Sequence, residues 1–269
     1  MTAALRHAGM IAIAVVVLFP LLFAVSTSLK SAAELGRYPP SLWPQAPVLD
    51  NYGDALTKAP LGRFLLNSAI QSGTVTAGQL LTSSLAAFAF VFIDFPGRRV
   101  LFFAFLATLM VPLEVTLIPN YLTVRALGWL DTYPALVAPF LATAFGTFLL
   151  RQFFLTIPRE LADAARMDGC SRRRFLWTIV LPLARPALAT LGIYAFLSTW
   201  NQYLWPLLVI NSTAMRTVQI GLSLLQSQEA VSWGLVMAGV VLMVLPTAVV
   251  FLLGYRHVVR GLTAGAVKG

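Results

Sequence analysis

The chain has 269 residues, of which 58% are hydrophobic and only 11% charged, with a formal net charge of +9. A soluble domain carries about 25% charged residues, so composition excludes an ordinary soluble enzyme or binding module and points to an all-α membrane protein. The single Cys170 excludes an internal disulfide. The two histidines, His7 and His257, lie near opposite ends, so neither a metal site nor a catalytic residue is read from them.

Apolar runs near or above ~18 residues, the length of a spanning helix, recur along the chain. They place six spans at about 9–29, 65–93, 101–122, 135–155, 186–210 and 233–256. The first follows Arg6, and its apolar run of about 20 residues exceeds the ~7–15 of a signal peptide; no clear A-x-A site follows, so it is read as a retained span. With both termini inside, the cytoplasmic segments hold Arg6, Arg98, Arg99, Arg151, Arg159, Arg166, Arg172, Arg173, Arg174, Arg185, Arg256, Arg260 and Lys268. The outer segments hold only Lys30, Arg37, Lys58, Arg63, Arg125 and Arg216. This positive-inside bias predicts cytoplasmic termini. Because the basic residues sit in short loops, they report orientation against membrane lipid and not a nucleic-acid-binding face.

The outer loop 30–64 contains "RYPPSLWPQAP", predicted to be extended and interfacial, followed by "NYGDALTKA", predicted to be a short helix. In span two, Gln79, Thr82, Ser83 and Ser84, with Gly73 and Gly78, read as glue between helices. Span three holds Glu114, the only acid within a span, between Pro112 and Pro119, which are expected to interrupt the helix and free backbone groups to line a cavity. Glu114, with Asn120 close by, is therefore a candidate for the transport path; the alternative is a structural partner to an arginine or backbone group in another subunit.

The cytoplasmic loop 156–185 contains "ELADAARMDG". Pro158 suits a helix start, Glu160 and Asp163 suit the positive end of the helix dipole, and Gly169 suits a left-handed stop. A short helix is predicted over 158–168, with Ala164 and Ala165 as a small-residue surface. Ser171 then caps a second helix that leads through Pro182 and Pro186 into span five. The plain alternative is a solvated, positively charged loop. In span five, Trp200, Asn201, Gln202 and Tyr203, with Trp205 nearby, combine rings and amides that suit a sugar, or else form an interfacial aromatic belt. The Gly/Ala-rich tail 257–269 follows. No phosphate-binding G-x-x-x-x-G-K-[ST] loop is present, and one domain without visible repeats is expected over 1–269.

The run Asp163-Ala164-Ala165-x-x-Asp168-Gly169, followed by Phe175, Ile179, Leu181 and Pro182, resembles the coupling motif of ABC importer permeases. Asp163 stands where glutamate is usual, and Cys170 where a small residue is usual. The segments "NSAI", "AAFAFVFIDFPGRRVLFF", "LMVPLEVTLIPNY", "FLLRQFF", "WNQYLWPLL" and "VRGLTAGAVKG" extend the resemblance to the MalG-type permeases of carbohydrate importers over nearly the whole chain. The resemblance implies a type I importer permease fold in a bacterial plasma (inner) membrane. It also implies a second, different permease, an ATPase homodimer holding ATP and Mg, and an extracytoplasmic solute-binding protein. No cofactor is expected in this chain itself.

Under that resemblance Glu160, Asp163, Ala164, Ala165, Asp168, Gly169 and Pro182 couple to the ATPase. Gly261, Leu262, Thr263, Gly265, Lys268 and Gly269 belong to a tail that docks in its dimer interface, or to a terminus that simply frays. Transport then works by alternating access. The solute is a di- or oligosaccharide, or glycerol-3-phosphate or a glycerophosphodiester, although Glu114 works against an anionic phosphate unless it pairs with a cation. The competing function is a self-assembling channel or secondary transporter without an ATPase.

Overall fold

A computed structural model describes residues 3–57, 60–226 and 232–263, and all regular structure among them is helical. In chain order the helices are α1 (Ala3–Ser28), α2 (Ala32–Leu35), α3 (Asp50–Thr57), α4 (Leu61–Phe92), α5 (Arg98–Ala107), α6 (Leu113–Ala126), α7 (Tyr133–Val137) and α8 (Ala144–Phe154). They continue with α9 (Arg159–Met167), α10 (Arg172–Phe175), α11 (Leu181–Leu183), α12 (Arg185–Trp200), α13 (Leu204–Val209), α14 (Val218–Gln226) and α15 (Trp233–Thr263).

Three helical stretches, Leu5–Ser28, Leu61–Phe92 and Trp233–Tyr255, are long and apolar enough to cross a membrane. Three further pairs pass the same test only if each bent pair is one span, giving up to six by length and composition. Expected span 101–122 is one of these: Arg98–Met110 and Leu113–Ala126 meet at 98° across Val111 and Pro112. Pro119, by contrast, sits inside α6 without ending it, so only one of the two prolines breaks the helix. Expected span 135–155 is bent by 45° between Phe140 and Ala144. Expected span 186–210 is not continuous, because α12 stops at Trp200 and α13 is a separate piece.

The described residues divide into two compact units, each assembled from segments distant in sequence. One comprises residues 1–67 and 216–248. Its core includes Leu61, Phe64, Val218, Ile220 and Val236, all at most 3% exposed. Gly221 faces Phe64 so closely that a Cβ there would stand 2.1 Å from a ring carbon, so no other residue fits without moving the ring. Helix α1 carries exposed apolar side chains along most of its length, a surface for lipid or another subunit. The "RYPPSLWPQAP" stretch is not the open extended run predicted. It folds back, with Ser26 donating to the Leu42 carbonyl, while Ser41 Oγ and the Gln45 N–H donate to Glu34 at 2.8 and 3.0 Å. The short helix predicted after it is α3.

The other unit comprises residues 68–215 and 249–269. One core cluster gathers Phe88, Leu150, Phe154, Phe175, Val180 and Leu191 beneath α9. A second gathers Val75, Leu136, Trp205 and Val209 around the bent α7–α8 pair.

Candidate coupling helix and transport path

Helix α9 is delimited by local chemistry at both ends. Pro158 precedes it with φ −57° and ψ 136°, and Glu160 lies in its first turn. At the other end Gly169 adopts φ +70°, its N–H donating to the Arg166 carbonyl at 3.0 Å, while Cys170 N–H reaches back to Ala165 at 2.8 Å. These two bonds are the Schellman arrangement, which needs a left-handed residue and hence favours glycine. Ser171 then caps α10, its hydroxyl accepting from the Arg174 N–H at 3.3 Å. The chain continues through a π-helical turn, Leu176–Val180, and α11 to Ala184, where it bends by 81° into α12. Pro186 has no N–H for the Pro182 carbonyl four residues back, which contributes to that bend.

One face of α9 is anchored and the other is left free. Ala165 is 7% exposed and, with Ala162, packs against the cluster holding Phe88, Phe92, Phe154 and Phe175. The Phe92 and Phe175 rings meet edge to face at 5.3 Å. Small side chains let the helix backbone sit close on these rings. Glu160, Asp163, Ala164, Asp168 and Gly169 are exposed, as is Pro182. Asp163 accepts from Arg166 at 3.2 Å across an exposed pair. Sequence reasoning missed Leu161 and Met167, which stand 40% and 84% exposed on the same helix. Their signal was an apolar residue on a face that the helical period assigns to water.

The candidate path residues have competing structural duties. Glu114 is the second residue of α6, exposed, at the 98° break, where the helix N-terminus favours an acid. Asn120 is half-exposed on the same helix, and α13 packs against α6. Trp200 is only 2% exposed and stacks on Phe196 at 5.6 Å, so its ring is packed inside the chain. Asn201 ends α12 and donates to the Leu197 carbonyl at 2.9 Å. Gln202 accepts from the buried Gln71 at 2.9 Å, and Tyr203 is 39% exposed.

The α7–α8 bend gives several nearby polar side chains their partners. Pro139 has no N–H to offer the Ala135 carbonyl, and Trp205 Nε1 supplies one instead at 2.9 Å. Gln79 donates to the Phe140 carbonyl at 2.9 Å and Thr82 to that of Leu141 at 2.8 Å, the gluing role read from the sequence. Gln71 adds a longer bond to Leu136. Backbone freed at membrane depth must find such partners. Gln71 and Trp205 in these roles were not foreseen, nor was Asp131, which at φ +60° accepts from the Asn211 and Ser212 N–H groups at 2.7 Å each.

Gly261, Leu262 and Thr263 continue α15 as helix, whereas the tail was expected to begin at 257. Gly265, Lys268 and Gly269 lie outside the described residues, as does Lys58. Among the described residues no three His, Cys, Asp or Glu side chains gather as a metal site.

Long apolar helices and bent helix pairs, with a terminated, surface-held amphipathic helix among them, make up the type I ABC importer permease fold of a multi-pass membrane protein. Residues 79–264 match the family described as "binding-protein-dependent transport system inner membrane component", and the chain belongs to that family. The sn-glycerol-3-phosphate transport system permease protein UgpE of Yersinia enterocolitica is 38% identical over 264 residues, covering 95% of this chain and 94% of that protein. UgpE of Rhizobium meliloti is 38% identical over 257 residues, covering 92% and 91%. Among solved structures, a chain of a bacterial ABC transporter involved in the import of the acidic polysaccharide alginate matches with TM-score 0.85. It is 24% identical and covers 96% of this chain and 99% of its own, a likeness of fold. The channel and secondary-transporter alternative falls with this membership.

Proposed function

We propose that this chain crosses the inner membrane six times with both termini in the cytoplasm and forms half of the path of an ATP-driven importer. A second, different permease forms the other half, and an ATPase homodimer holds ATP and Mg and performs the hydrolysis. An extracytoplasmic binding protein delivers the solute, which we take to be glycerol-3-phosphate or a related sugar-like compound, the class in the names of the UgpE relatives. The observation that carries this reading is α9, clamped by small residues on a phenylalanine cluster while Glu160, Asp163, Ala164, Asp168 and Gly169 face outward. That helix seats in the ATPase, joined by the exposed Leu161 and Met167, and moves the path between inward- and outward-facing states. The tail from Gly261 to Gly269 enters the ATPase dimer interface. Glu114, Asn120 and Tyr203 line the path, while Trp200, Asn201 and Gln202 shape it from behind.

The test starts with an N-terminal tag in mild detergent. A second permease and an ATPase are expected to co-purify, and the accompanying binding protein is then screened against glycerol phosphates and sugars. In reconstituted vesicles Gly169→Pro and Asp168→Arg should leave the complex assembled but abolish transport. Normal transport by both variants, with the complex intact, would remove the coupling role from α9.

A further inference from the structure

A cavity of about 300 Å³ lies in the unit formed by residues 1–67 and 216–248, where α1 ends and α15 begins. Phe23 and Thr27 contribute from the last turns of α1, with Lys30 just beyond them; Trp233 and Met237 face in from the first turns of α15. Leu35 and Pro40 complete a mostly apolar wall.

Three polar side chains in this wall are more than nine-tenths buried: Thr27, Lys30 and Glu34 are 5%, 3% and 7% exposed. The Thr27 hydroxyl has no hydrogen-bond partner. The Lys30 ammonium has three donors; one goes to the Ser41 carbonyl, and the group also lies 5.9 Å from the centre of the Phe23 ring. Glu34 accepts both of its hydrogen bonds, from Ser41 Oγ and Gln45 N–H, on Oε1 alone. Burial by itself would raise the Glu34 carboxyl. The Gln45 and Ser41 hydrogen bonds and the Lys30 and Arg37 charges outweigh it and hold the group below its ordinary value, hence ionised at neutral pH.

The cavity therefore offers one positive and one negative group with spare bonding capacity, next to an apolar floor. That floor belongs to α1 and α15, both long and apolar enough to cross a membrane, while Lys30 and Glu34 stand beyond the end of α1. A purely anionic headgroup would satisfy Lys30 and oppose Glu34. A free sugar would leave the apolar floor unused. An amphiphile carrying both a phosphate and an ammonium matches every part.

We propose that this cavity binds the headgroup and glycerol backbone of an amine-bearing, zwitterionic glycerophospholipid, with its phosphate on Lys30 and Thr27 and its ammonium on Glu34. The site is independent of which solute is carried. Trp233, half-exposed on the rim, marks the membrane–water boundary, where such rings are enriched.

Native mass spectrometry tests this on the protein purified with its accompanying subunits and exchanged into nanodiscs of phosphatidylethanolamine, phosphatidylglycerol or both. The wild type should retain one phosphatidylethanolamine in preference to phosphatidylglycerol. Met237→Trp adds bulk to the cavity from its apolar side and leaves every polar lining residue in place, and Lys30→Gln removes the ammonium. Each should lower retention by about tenfold, the loss of one good charge-assisted contact or its equivalent in space. Glu34→Gln keeps the carbonyl oxygen that anchors Ser41 and Gln45 but loses the charge, so the preference for the amine headgroup should vanish while the loop stays folded. Equal retention of both lipids by the wild type would overturn the proposal. So would undiminished retention by Met237→Trp, or displacement of the lipid by millimolar glycerol-3-phosphate.

Discussion

The segment around α9 and the bend between α7 and α8 solve the same problem, a helix that must stop, by opposite means. At α9 the stop is written within a few residues: Gly169 turns left-handed, its neighbour Cys170 caps Ala165, and Ser171 starts the next helix. At the α7–α8 bend the freed carbonyls are met from far away, by Trp205 seventy positions on from Ala135, and by Gln79 and Thr82 on α4. Water can complete an exposed helix end, so local caps suffice there. In the membrane layer no water is available, and another element must supply the donor.

The largest effect should come from the long-range donor. Trp205→Ala removes a buried ring as well as the cap on Ala135 and should cost about 3–5 kcal/mol. Trp205→Phe keeps most of the ring and orphans only the carbonyl, for about 1–3 kcal/mol. Thermal unfolding in detergent reads both, and a Trp205→Phe variant as stable as the wild type would show that the N–H contributes nothing. Next comes the local stop. Gly169→Ala meets no neighbour within 4 Å but forces a side chain into φ +70°, a penalty of about 1–2 kcal/mol. The amides of Gly169 and Cys170 should then exchange about 5–30 times faster, while global melting barely moves. A large drop in melting temperature would mean that the stop is not local.

Smaller still is the Gln71–Gln202 pair, for which a double-mutant cycle with leucine should return a coupling of about 0.6 kcal/mol, typical of interhelical hydrogen bonds in membranes. The smallest effect belongs to Asp131. The Ser212 N–H, against a counter-effect of burial and with help from Asn211, holds its carboxyl below the ordinary 3.8. A depressed carboxyl stabilises the fold above its unfolded value and loses that contribution as pH falls through the folded one. The stability gap between wild type and Asp131→Asn should therefore be full at neutral pH and close below about pH 4. A gap that is unchanged at pH 3 would assign Asp131 a role other than its charge.

The same contrast explains what the sequence disclosed. Pro158, Gly169 and Ser171 act on their own neighbours, so the boundaries of α9 were legible to within a residue. The three long apolar helices were legible because apolar length is a local property, but the bends at Pro112 and between Phe140 and Ala144 were seen only in part. Pro119 sits quietly in α6, and Pro20 and Pro246 likewise lie inside helices, so proline alone does not say where a span breaks. The candidate path residues were least legible. Trp200 and Gln202 look like a sugar platform in one dimension, yet one is packed on Phe196 and the other is bonded to Gln71, 131 positions away. A polar or aromatic residue in a span advertises a need for a partner without naming it.

The interleaving of early and late segments also sets a schedule for biosynthesis. Phe64 fits against Gly221, which is translated 157 positions later. At about 5–20 residues per second, the ring waits roughly 8–30 s for its lid. During that interval the first two spanning helices sit in the membrane with half of their unit unmade, sheltered only by lipid or the insertion machinery. A nascent chain stalled before α14 therefore leaves this unit without the half that carries Gly221.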